Sequence, residues 1–359
     1  MVIDDTITYR QILSHVLGSF SNVEVVGTAN SGKTGLMKIP SLKPDLIFLD
    51  IMMPDMDGVE TLRQIKPEYP EIQVVMISAF DMNNAKATLS SLESGALDFI
   101  GKPITDSVDE SIEQLKRAIR PIIEIVEVQK QKARKTDEKE TDLPKIKPAI
   151  ITDKIPIRLA KIRENKVGKL DVVLIGISTG GPNALFDLIK SLDGKIECPI
   201  MVVQHMPPLF TQSLAERLDA INQTTVCEAI DGQVLENGTF YIAPGGKHMV
   251  LRKGSSNKLF VGITDDPPIN HCKPAVDVLF LSVAQQKNIH PLTIIMTGMG
   301  RDGTQGVVEL KKNGTYCLIQ DEESSVVWGM PGSVYEADCA DEILPLNQIG
   351  QRIIQLSAS

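Results

Sequence analysis

The segment DVVLIGISTGGP, Asp171–Pro182, joins a strand pattern to a helix pattern and decides the fold of the second half of the chain. Val172–Ile177 is an apolar, β-branched run of strand length. Pro182 suits the first helical position, because its missing N–H costs nothing there. The helix that follows is predicted from apolar residues at helical spacing, namely Leu185, Leu188, Ile189 and Leu192.

Ser178 lies in the glycine-rich turn of this segment. Backbone N–H groups at the N-terminus of a helix can face an anion, which suits a nucleophile whose reaction develops an oxyanion. Phosphate-binding turns share this strand–turn–helix form, so both interpretations stay open for the segment taken alone.

The length and composition of the chain limit the class of protein. Its 359 residues favour two domains, and a hydrophobic content of 42% suffices for packed cores. A net charge of −9 disfavours nucleic acid as a partner. No apolar run reaches the ~18 residues of a membrane span and no signal peptide is recognisable, so we expect a cytoplasmic protein without membrane insertion. Five scattered cysteines without a CxxC pair are typical of thiols in a reducing compartment.

Residues 1–120 alternate short apolar strands with helix patterns, which predicts an α/β domain with a parallel sheet between helices. After a short strand at the N-terminus, the predicted strands are Val23–Val26, Leu46–Leu49, Val74–Ile77 and Leu97–Ile100.

Polar side chains follow these strands, namely Asp4, Asp5, Asp50, Ser78 and Lys102. The carboxyl ends of strands converge in a doubly wound sheet, and carboxylates brought together there favour a hard cation such as Mg²⁺. Mg²⁺, Lys102 and the Ser78 hydroxyl would stabilise a phosphoryl group on Asp50. Acidic residues also cap strands and turns, so each position alone is weak evidence.

The run DIMMPDMDG, Asp50–Gly58, together with those residues, resembles the response-regulator receiver family. The resemblance implies a flavodoxin-like parallel sheet of order 2-1-3-4-5, Mg²⁺ binding and phosphorylation by a histidine kinase. It implies the following roles: Asp50 as phosphoacceptor, Asp4, Asp5, Asp50 and the Met52 backbone as Mg²⁺ ligands, and Ser78, Phe99 and Lys102 as switch residues. Only Met1–Ile3 precede the acidic pair, where the family has a longer first strand, so either the start lies upstream or the receiver is weakened.

A competing motif lies in the same domain. Gly27–Thr34 fits the G-x-x-x-x-G-K-[ST] pattern of nucleotide-binding loops. Asp50 follows Thr34 too closely for that class of protein, and the motif leaves the acidic pair, Ser78 and Lys102 without a role. We therefore expect phosphorylation to be independent of Lys33.

Residues 121–168 are predicted to be a charged linker. Gln129–Pro148 is dense in Lys, Glu and Asp, and no aromatic residue occurs between Phe99 and Phe186. Such a stretch buries too little apolar surface to fold alone, so we expect a helix continuing from the first domain and then a flexible segment. Ile151–Ile162 has scattered apolar residues that suit docking onto a neighbouring domain.

Residues 169–359 return to strand–helix alternation, which predicts a second doubly wound, Rossmann-like domain. Its further predicted strands are Ile200–Val203, Leu292–Met296 and Tyr316–Gln320, with a hairpin region over Thr239–Ala243, Met249–Leu251 and Leu259–Ile263. Thr211 is the predicted N-cap of the helix after the second strand.

Ser178, His205 and Asp302 are each expected to follow a buried strand of this domain directly. The strand ends form the ligand crevice of an open α/β sheet, so the three side chains are expected to meet as nucleophile, base and base-orienting acid. The backbone N–H groups around Thr179 and Met299 are the candidates for an oxyanion hole.

Other polar residues compete for these roles. His248 and His271 are alternative bases, and Asp277 is an alternative orienting acid within a helix pattern. His290 precedes a proline in a loop and is expected to be structural. The spacing of the histidines and acids disfavours metal-dependent hydrolysis.

Several blocks of the second domain resemble the chemotaxis protein-glutamate methylesterases, the CheB family. They are Gly176–Pro182, Gln204–Pro207, Pro244–His248, Val276–Phe280, Thr297–Gly303 and Gly329–Pro331. The resemblance implies hydrolysis of glutamate γ-methyl esters on methyl-accepting chemotaxis receptors, and deamidation of receptor glutamines as in many members. It carries the catalytic roles to Ser178, His205 and Asp302, without a cofactor for the esterase reaction.

Control by phosphorylation is expected from the order of the domains. A dephosphorylated receiver lying across the Ser178 crevice would block the substrate, and phosphorylation of Asp50 would shift the population towards an open form. Two alternatives stay open, a non-catalytic phosphorylation-dependent adaptor and a serine hydrolase of small esters unrelated to receptors.

Overall fold

The computed structural model describes residues 1–79, 81–103, 107–140, 168–192, 196–221, 223–255 and 258–358, with the backbone alone over 131–140. The chain divides into two compact units, Met1–Leu159 and Ala160–Ser359. The part of the predicted linker over 141–167, with the expected docking segment, lies outside the described residues.

The first unit is a doubly wound parallel sheet. Its sheet has the order β2-β1-β3-β4-β5, which confirms the expected topology. Its elements are β1 (Val2–Ile3), α1 (Ile7–Gly18), β2 (Thr28–Ala29), α2 (Gly32–Leu42), β3 (Leu46–Asp50), α3 (Gly58–Glu68), β4 (Gln73–Ser78), α4 (Met82–Glu93), β5 (Asp98–Gly101) and α5 (Val108–Glu140).

Short polar side chains start three of its helices. Ser31 Oγ accepts from the backbone N–H of Thr34 at 3.2 Å, and Asp57 Oδ1 accepts from Glu60 N at 2.7 Å. Asp81 caps α4 in the same way. These bonds satisfy N–H groups that have no partner within the helix, and they fix the points at which the loops end.

The predicted strand Val23–Val26 is wrong. β2 is Thr28–Ala29 instead, and it pairs with β1 in the register Val2 to Thr28. In this parallel register the partners of Val23–Val26 would precede Met1. Among the described residues, the apolar run therefore pairs with no strand in this register.

The segment Gly27–Thr34 does not form an open phosphate loop. Gly27 and Ala29 carbonyls accept bonds from the β1 side of the sheet. Only Asn30 and Ser31 separate β2 from α2, and Lys33 is exposed. The backbone N–H groups of a long glycine-rich loop, which cradle a nucleotide, are thus not available here.

The second unit is a larger parallel sheet with an added hairpin, which confirms the expected α/β class. Seven parallel strands have the order β14-β13-β12-β6-β7-β9-β8, and β10 and β11 form a separate antiparallel pair. Its elements are β6 (Val172–Ile177), α6 (Gly181–Lys190), β7 (Ile200–Gln204), α7 (Phe210–Asp219), β8 (Thr225–Glu228), β9 (Thr239–Ile242), β10 (His248–Lys253), β11 (Leu259–Thr264), α8 (Val276–Ala284), β12 (Pro291–Ile295), α9 (Thr304–Lys312), β13 (Tyr316–Gln320), α10 (Gly329–Glu336), β14 (Glu342–Leu344) and α11 (Leu346–Ser357).

Two local predictions in this unit are wrong. The Thr239–Ala243 run does not belong to the hairpin, because β9 pairs with β7 and β8 in the main sheet. Thr211 is not an N-cap, since α7 begins one residue earlier, at Phe210. The Thr211 hydroxyl instead donates to Glu228 at 2.6 Å and accepts from Gly245 N at 2.9 Å. It therefore links α7 to β8 and to the loop between β9 and β10.

Three adjacent strands, β12, β6 and β7, form the middle of this sheet. Their side chains are buried on both faces, which explains the continuous apolar runs in the sequence. Among the residues that the structure describes, no helix is long and apolar enough to cross a membrane.

Candidate active site

The carboxyl ends of the three central strands bring the predicted triad together. Ser178 directly follows β6, His205 directly follows β7, and Asp302 lies between β12 and α9. The backbone continues the sheet there, with His205 N donating to Ile177 O at 3.2 Å and Ser178 N donating to Thr297 O at 2.9 Å. Strand ends therefore fix the positions of Ser178 and His205. The expectation that Asp302 directly follows a strand is wrong, because six residues separate it from β12 and backbone donors hold its carboxylate in the loop before α9.

The imidazole of His205 lies between the other two side chains. Its Nδ1 is 3.1 Å from Ser178 Oγ, and its Nε2 is 2.7 Å from Asp302 Oδ2. A carboxylate accepts only, so in the neutral ring the proton belongs on Nε2 and the lone pair of Nδ1 faces the hydroxyl. This is the arrangement that a general base needs.

The carboxylate of Asp302 is buried and held by backbone donors. Val276 N donates to Oδ2 at 2.6 Å, and Asp277 N and Gly303 N each donate to Oδ1 at 3.0 Å. Burial by itself raises the pKa of Asp302, but the hydrogen bonds from His205 and from these N–H groups lower it below its ordinary value. Asp302 is therefore ionised and fixed in orientation.

The pKa of His205 reflects this partner. Burial by itself lowers it, but the hydrogen bond to Asp302 and the contact with Cys272 outweigh burial and raise the pKa from 6.5 to about 9. The neutral imidazole, which is the form that accepts a proton, is consequently a minority species near neutral pH.

Hydrogen bonds to the Ser178 carbonyl oxygen fix the orientation of the peptide bond between Ser178 and Thr179. Ser178 O accepts from Gln204 Nε2 at 2.9 Å and from Gly181 N at 2.7 Å. In a trans peptide the N–H points opposite to the carbonyl, so these bonds also fix the direction of the Thr179 N–H. This N–H makes no hydrogen bond to any described residue, as an oxyanion donor requires.

The second candidate donor is fixed in the same way. Gly298 O accepts from Met330 N, the second residue of α10, at 2.8 Å, which orients the peptide carrying the Met299 N–H. Within the described part of the chain the Met299 N–H also makes no hydrogen bond. Thr179 and Met299 are both half-buried, on the side of the sheet where Ser178 lies.

Glycines allow the close approach of these loops. Gly180 has φ 74°, a left-handed conformation that turns the chain from β6 into α6. At Gly298 an added Cβ would lie 2.7 Å from Ser178 Cβ and 2.5 Å from Met330 Sδ. α6 begins at Gly181, so Pro182 takes its second position, where a missing N–H is equally harmless.

The competing histidines lie elsewhere or have other partners. His248 is buried, with Nε2 3.1 Å from Pro267 O and Nδ1 accepting from Ala275 N at 3.2 Å. His271 is exposed, and the exposed ring of His290 lies 3.3 Å from Asp171, before β6. None of them contacts Ser178.

Two further residues border the site. Cys272 Sγ lies 3.7 Å from His205 Nδ1 and is half-buried, next to the triad but outside it. Gln204 holds the Ser178 carbonyl. Both lie within or beside sequence blocks noted above, but only their positions in space connect them with Ser178 and His205.

The first unit has its own charged cluster at the carboxyl ends of β1, β3 and β5. Lys102 Nζ lies 3.0 Å from Asp4 Oδ2 and 2.9 Å from Asp50 Oδ2, with both carboxylates buried. Asp5 is exposed beside them. Burial raises the pKa of Asp50 to about 6, and the neighbouring Asp4 carboxylate adds to the rise while Lys102 opposes it.

This donor set fits a divalent ion. Carboxylate oxygens of Asp4, Asp5 and Asp50 lie within 4.8 Å of one another, and oxygen ligands of this kind are those that Mg²⁺ prefers. A cation there would relieve the repulsion that raises the pKa of Asp50. The role of the Met52 backbone stays a prediction.

The predicted switch residues Ser78 and Phe99 lie in β4 and β5, and the third, Lys102, belongs to the charged cluster itself. Ser78 ends β4 and is buried, where its hydroxyl accepts from Thr88 Oγ1 at 3.0 Å and donates to Ala79 O at 3.2 Å. Phe99 is half-buried in β5. The Lys102 ammonium lies 4.7 Å from the centre of the Tyr9 ring, an aromatic contact that the sequence did not indicate.

Two family models match the chain. The model described as CheB methylesterase matches residues 173–353, and the model described as response regulator receiver domain matches residues 1–115. One model therefore matches within each of the two units.

Relatives match over almost the full length. The protein-glutamate methylesterase/protein-glutamine glutaminase of Trichodesmium erythraeum is 40% identical over 357 residues, covering 99% of this chain and 97% of that protein. The protein of the same name from Desulfotalea psychrophila is 42% identical, with the same coverage. Among solved structures, the Thermotoga maritima CheB methylesterase catalytic domain is similar with a TM-score of 0.50 at 42% identity, covering 52% of this chain and 99% of that chain.

Proposed function

This chain belongs to the CheB methylesterase family, and we propose that it hydrolyses γ-methyl esters of glutamate on methyl-accepting chemotaxis receptors under the control of phosphorylation. The observation that carries the proposal is the contact of His205 Nδ1 with Ser178 Oγ at 3.1 Å, with Asp302 on the opposite ring nitrogen at 2.7 Å. A bound pair of hydroxyl and base of this kind is an activated nucleophile.

The proposed reaction has two halves. Ser178 Oγ attacks the ester carbonyl carbon while His205 Nδ1 takes the hydroxyl proton, and the Thr179 and Met299 N–H groups receive the developing oxyanion. The C–OCH₃ bond then breaks, methanol leaves with the proton from His205, and an acyl-enzyme remains on Ser178. Water, deprotonated by His205, attacks the acyl-enzyme carbonyl. The bond to Ser178 Oγ then breaks, His205 returns the proton to Oγ, and the glutamate side chain is released.

Deamidation needs only a different leaving group at the same site. With a receptor glutamine, His205 delivers the proton to the leaving nitrogen and ammonia departs in place of methanol. The name of the relatives includes glutaminase activity, which supports both reactions for this chain.

The first unit is proposed as the regulatory receiver. Asp50 is the proposed phosphoacceptor from a histidine kinase of the chemotaxis system, and Lys102, 2.9 Å from its carboxylate, would pair with the added phosphoryl charge. Asp4, Asp5 and Asp50 are the residues that would hold Mg²⁺, which supplies charge neutralisation for phosphoryl transfer when bound. The buried Ser78 and the half-buried Phe99 are the side chains proposed to respond.

The decisive experiment measures methanol release from receptor membranes that carry methyl-esterified glutamates, with and without a small phosphodonor. Wild-type protein should release methanol faster with the phosphodonor. Ser178→Ala should release none above background, while still incorporating phosphate at Asp50. Full methanol release by Ser178→Ala would remove Ser178 from the scheme.

The same assay separates the two alternative functions. A non-catalytic adaptor would release no methanol in the wild type, although it would still be phosphorylated. A general serine hydrolase would cleave small esters at least as well as methylated receptor fragments. A matched variant, Ser213→Ala in α7, removes a buried hydroxyl that makes no hydrogen bond to any described residue, and it should keep wild-type activity.

A further inference from the structure

The thiol of Cys272 lies beside the catalytic nitrogen that the proposed mechanism uses. Its Sγ is 3.7 Å from His205 Nδ1, and donor atoms of Cys272, His205 and Asp302 all lie within 4.8 Å of one another. The proposed ester hydrolysis gives this thiol no task. A sulfur and an imidazole nitrogen at this separation are, however, a familiar pair of metal ligands.

The spacing of the two atoms suits one tetrahedral ion. Zn²⁺ binds thiolate sulfur at about 2.3 Å and imidazole nitrogen at about 2.0–2.1 Å, so two such ligands at a tetrahedral angle lie about 3.6 Å apart. The observed separation of Sγ and Nδ1 is 3.7 Å. Both ligands could therefore bind one ion without a rearrangement of the backbone.

The surroundings of each ligand support such a site. Asp302 holds Nε2 of His205 at 2.7 Å, which leaves Nδ1 as the ring nitrogen available to an ion and makes the imidazole a stronger ligand. Cys272 is fixed by a tight loop, in which Cys272 N donates to Ile269 O at 2.8 Å and Ile269 N donates to Cys272 O at 3.1 Å. Asp302 is already engaged by backbone donors, so its carboxylate supports the histidine instead of binding the ion.

We propose that Cys272 Sγ and His205 Nδ1 form a binding site for a thiophilic divalent ion, Zn²⁺, and that occupation of this site inhibits the esterase. The inhibition rests on the proposed function, because the ion would take the lone pair that receives the Ser178 proton. Binding releases the thiol proton of Cys272 and, from the protonated imidazole, the Nδ1 proton of His205 to solvent, and water completes the coordination. Soft sulfur and imidazole ligands discriminate against Mg²⁺, so the ion that serves the first unit would not compete.

Inhibition is tested on the full-length protein by methanol release in the presence of added Zn²⁺. Wild-type activity should fall with Zn²⁺ and return after a zinc-selective chelator. Cys272→Ser, compared with its own rate in the absence of Zn²⁺, should need at least tenfold more Zn²⁺ than the wild type for half-inhibition. The matched control is Cys227→Ser, since Cys227 is also half-buried but contacts Gln233, and it should be inhibited as the wild type is.

Zn²⁺ binding is tested separately from esterase activity, so that failure of the zinc proposal can be distinguished from failure of the proposed function. The Ser178→Ala variant should bind one Zn²⁺ in equilibrium dialysis that is lost in the Ser178→Ala, Cys272→Ser double variant. Co²⁺ in place of Zn²⁺ should give a thiolate charge-transfer absorption that the double variant lacks. Equal binding by both variants, or equal inhibition of wild type and Cys272→Ser, would overturn the proposal.

Discussion

The carboxylate of Asp302 caps α8, the helix that contains Asp277, and the carboxylate of Asp277 caps α9, the helix that follows Asp302. The Asp302 carboxylate, just before α9, accepts the N–H groups of Val276 and Asp277 at the start of α8. The Asp277 carboxylate in turn accepts from Gly306 N in the first turn of α9 at 2.7 Å. Two buried helix N-termini are thus satisfied by two carboxylates, and this exchange fixes the acid that holds His205.

Because of this mutual capping, Asp277→Ala is expected to lower both the free energy of unfolding and the kcat of methanol release. The buried Gly306 N–H loses its acceptor, which costs about 1–3 kcal/mol in the free energy of unfolding. A shift of α8 against α9 also moves Asp302, so kcat should fall. Urea unfolding and methanol release measure the two effects. Asp277→Asn keeps an acceptor oxygen and should recover most of both, and the exposed Asp187→Ala should change neither.

Asp302→Asn should lower kcat by about 10²–10⁴-fold, because the amide favours the wrong imidazole tautomer. It should also move the pH profile. Asp302 helps to raise the pKa of His205 to about 9, and the base works only when neutral, so kcat/KM of the wild type should rise with pH up to about that value. Without the carboxylate the pKa of His205 falls and the rise should occur at lower pH. An unchanged profile would argue against this pairing in solution.

The positions of the triad could be predicted from the sequence because strand ends are local features. Ser178 and His205 come directly after apolar runs of strand length, and parallel strands place such residues at one edge of the sheet. The prediction for Val23–Val26 failed for the opposite reason, since a strand also needs a neighbour, and that neighbour is set by the register of β1.

The supporting residues could not be predicted, because their partners are distant in the chain. Gln204 acts on Ser178 across a strand pair, and Asp277 acts on Gly306 across a helix pair. The sequence does not show whether a glutamine at the end of a strand donates to the carbonyl beside the nucleophile or is simply a buried amide. Cys272 likewise comes close to His205 only through the folded loop.

Gln204→Met should lower kcat with little change in KM. Methionine fills a similar volume but cannot donate to Ser178 O, so the peptide that carries the Thr179 N–H loses one of its two restraints. Loss of alignment of one oxyanion donor should cost about 10–100-fold in kcat. Steady-state methanol release measures it, with the exposed Gln212→Met as matched control. A change confined to KM would contradict this role.

Gly298→Ala should inactivate the esterase while leaving the first unit phosphorylatable. The new methyl group would lie 2.7 Å from Ser178 Cβ, too close for the nucleophile to keep its place. Gly168→Ala meets no atom within 4 Å and is the matched control. Methanol release and phosphate incorporation, measured on the same samples, test the separation. Normal methanol release by Gly298→Ala would show that the Ser178 loop can yield.

Asp50→Asn should stabilise the first unit in Mg²⁺-free buffer above neutral pH. The pKa of Asp50 is raised by burial from 3.8 to about 6, so the folded state binds the proton more tightly than the unfolded state. The contribution of Asp50 to the free energy of unfolding is therefore fully present below about pH 3.8. It is lost as the pH rises through about 6, and the loss is at most about 3 kcal/mol. Asparagine stays neutral, so the variant should exceed the wild type in unfolding free energy at about pH 8 and match it in acid.

Urea unfolding of residues 1–140, monitored by circular dichroism, measures the difference in unfolding free energy between Asp50→Asn and the wild type. Mg²⁺ should stabilise the wild type and narrow the gap, because it binds to the ionised Asp50 carboxylate and far less to the amide. The exposed Glu24→Gln, which likewise removes one carboxylate charge from the first unit, should follow the wild type at every pH. A gap between Asp50→Asn and the wild type that is independent of both pH and Mg²⁺ would show that Asp50 ionises without cost in the folded receiver.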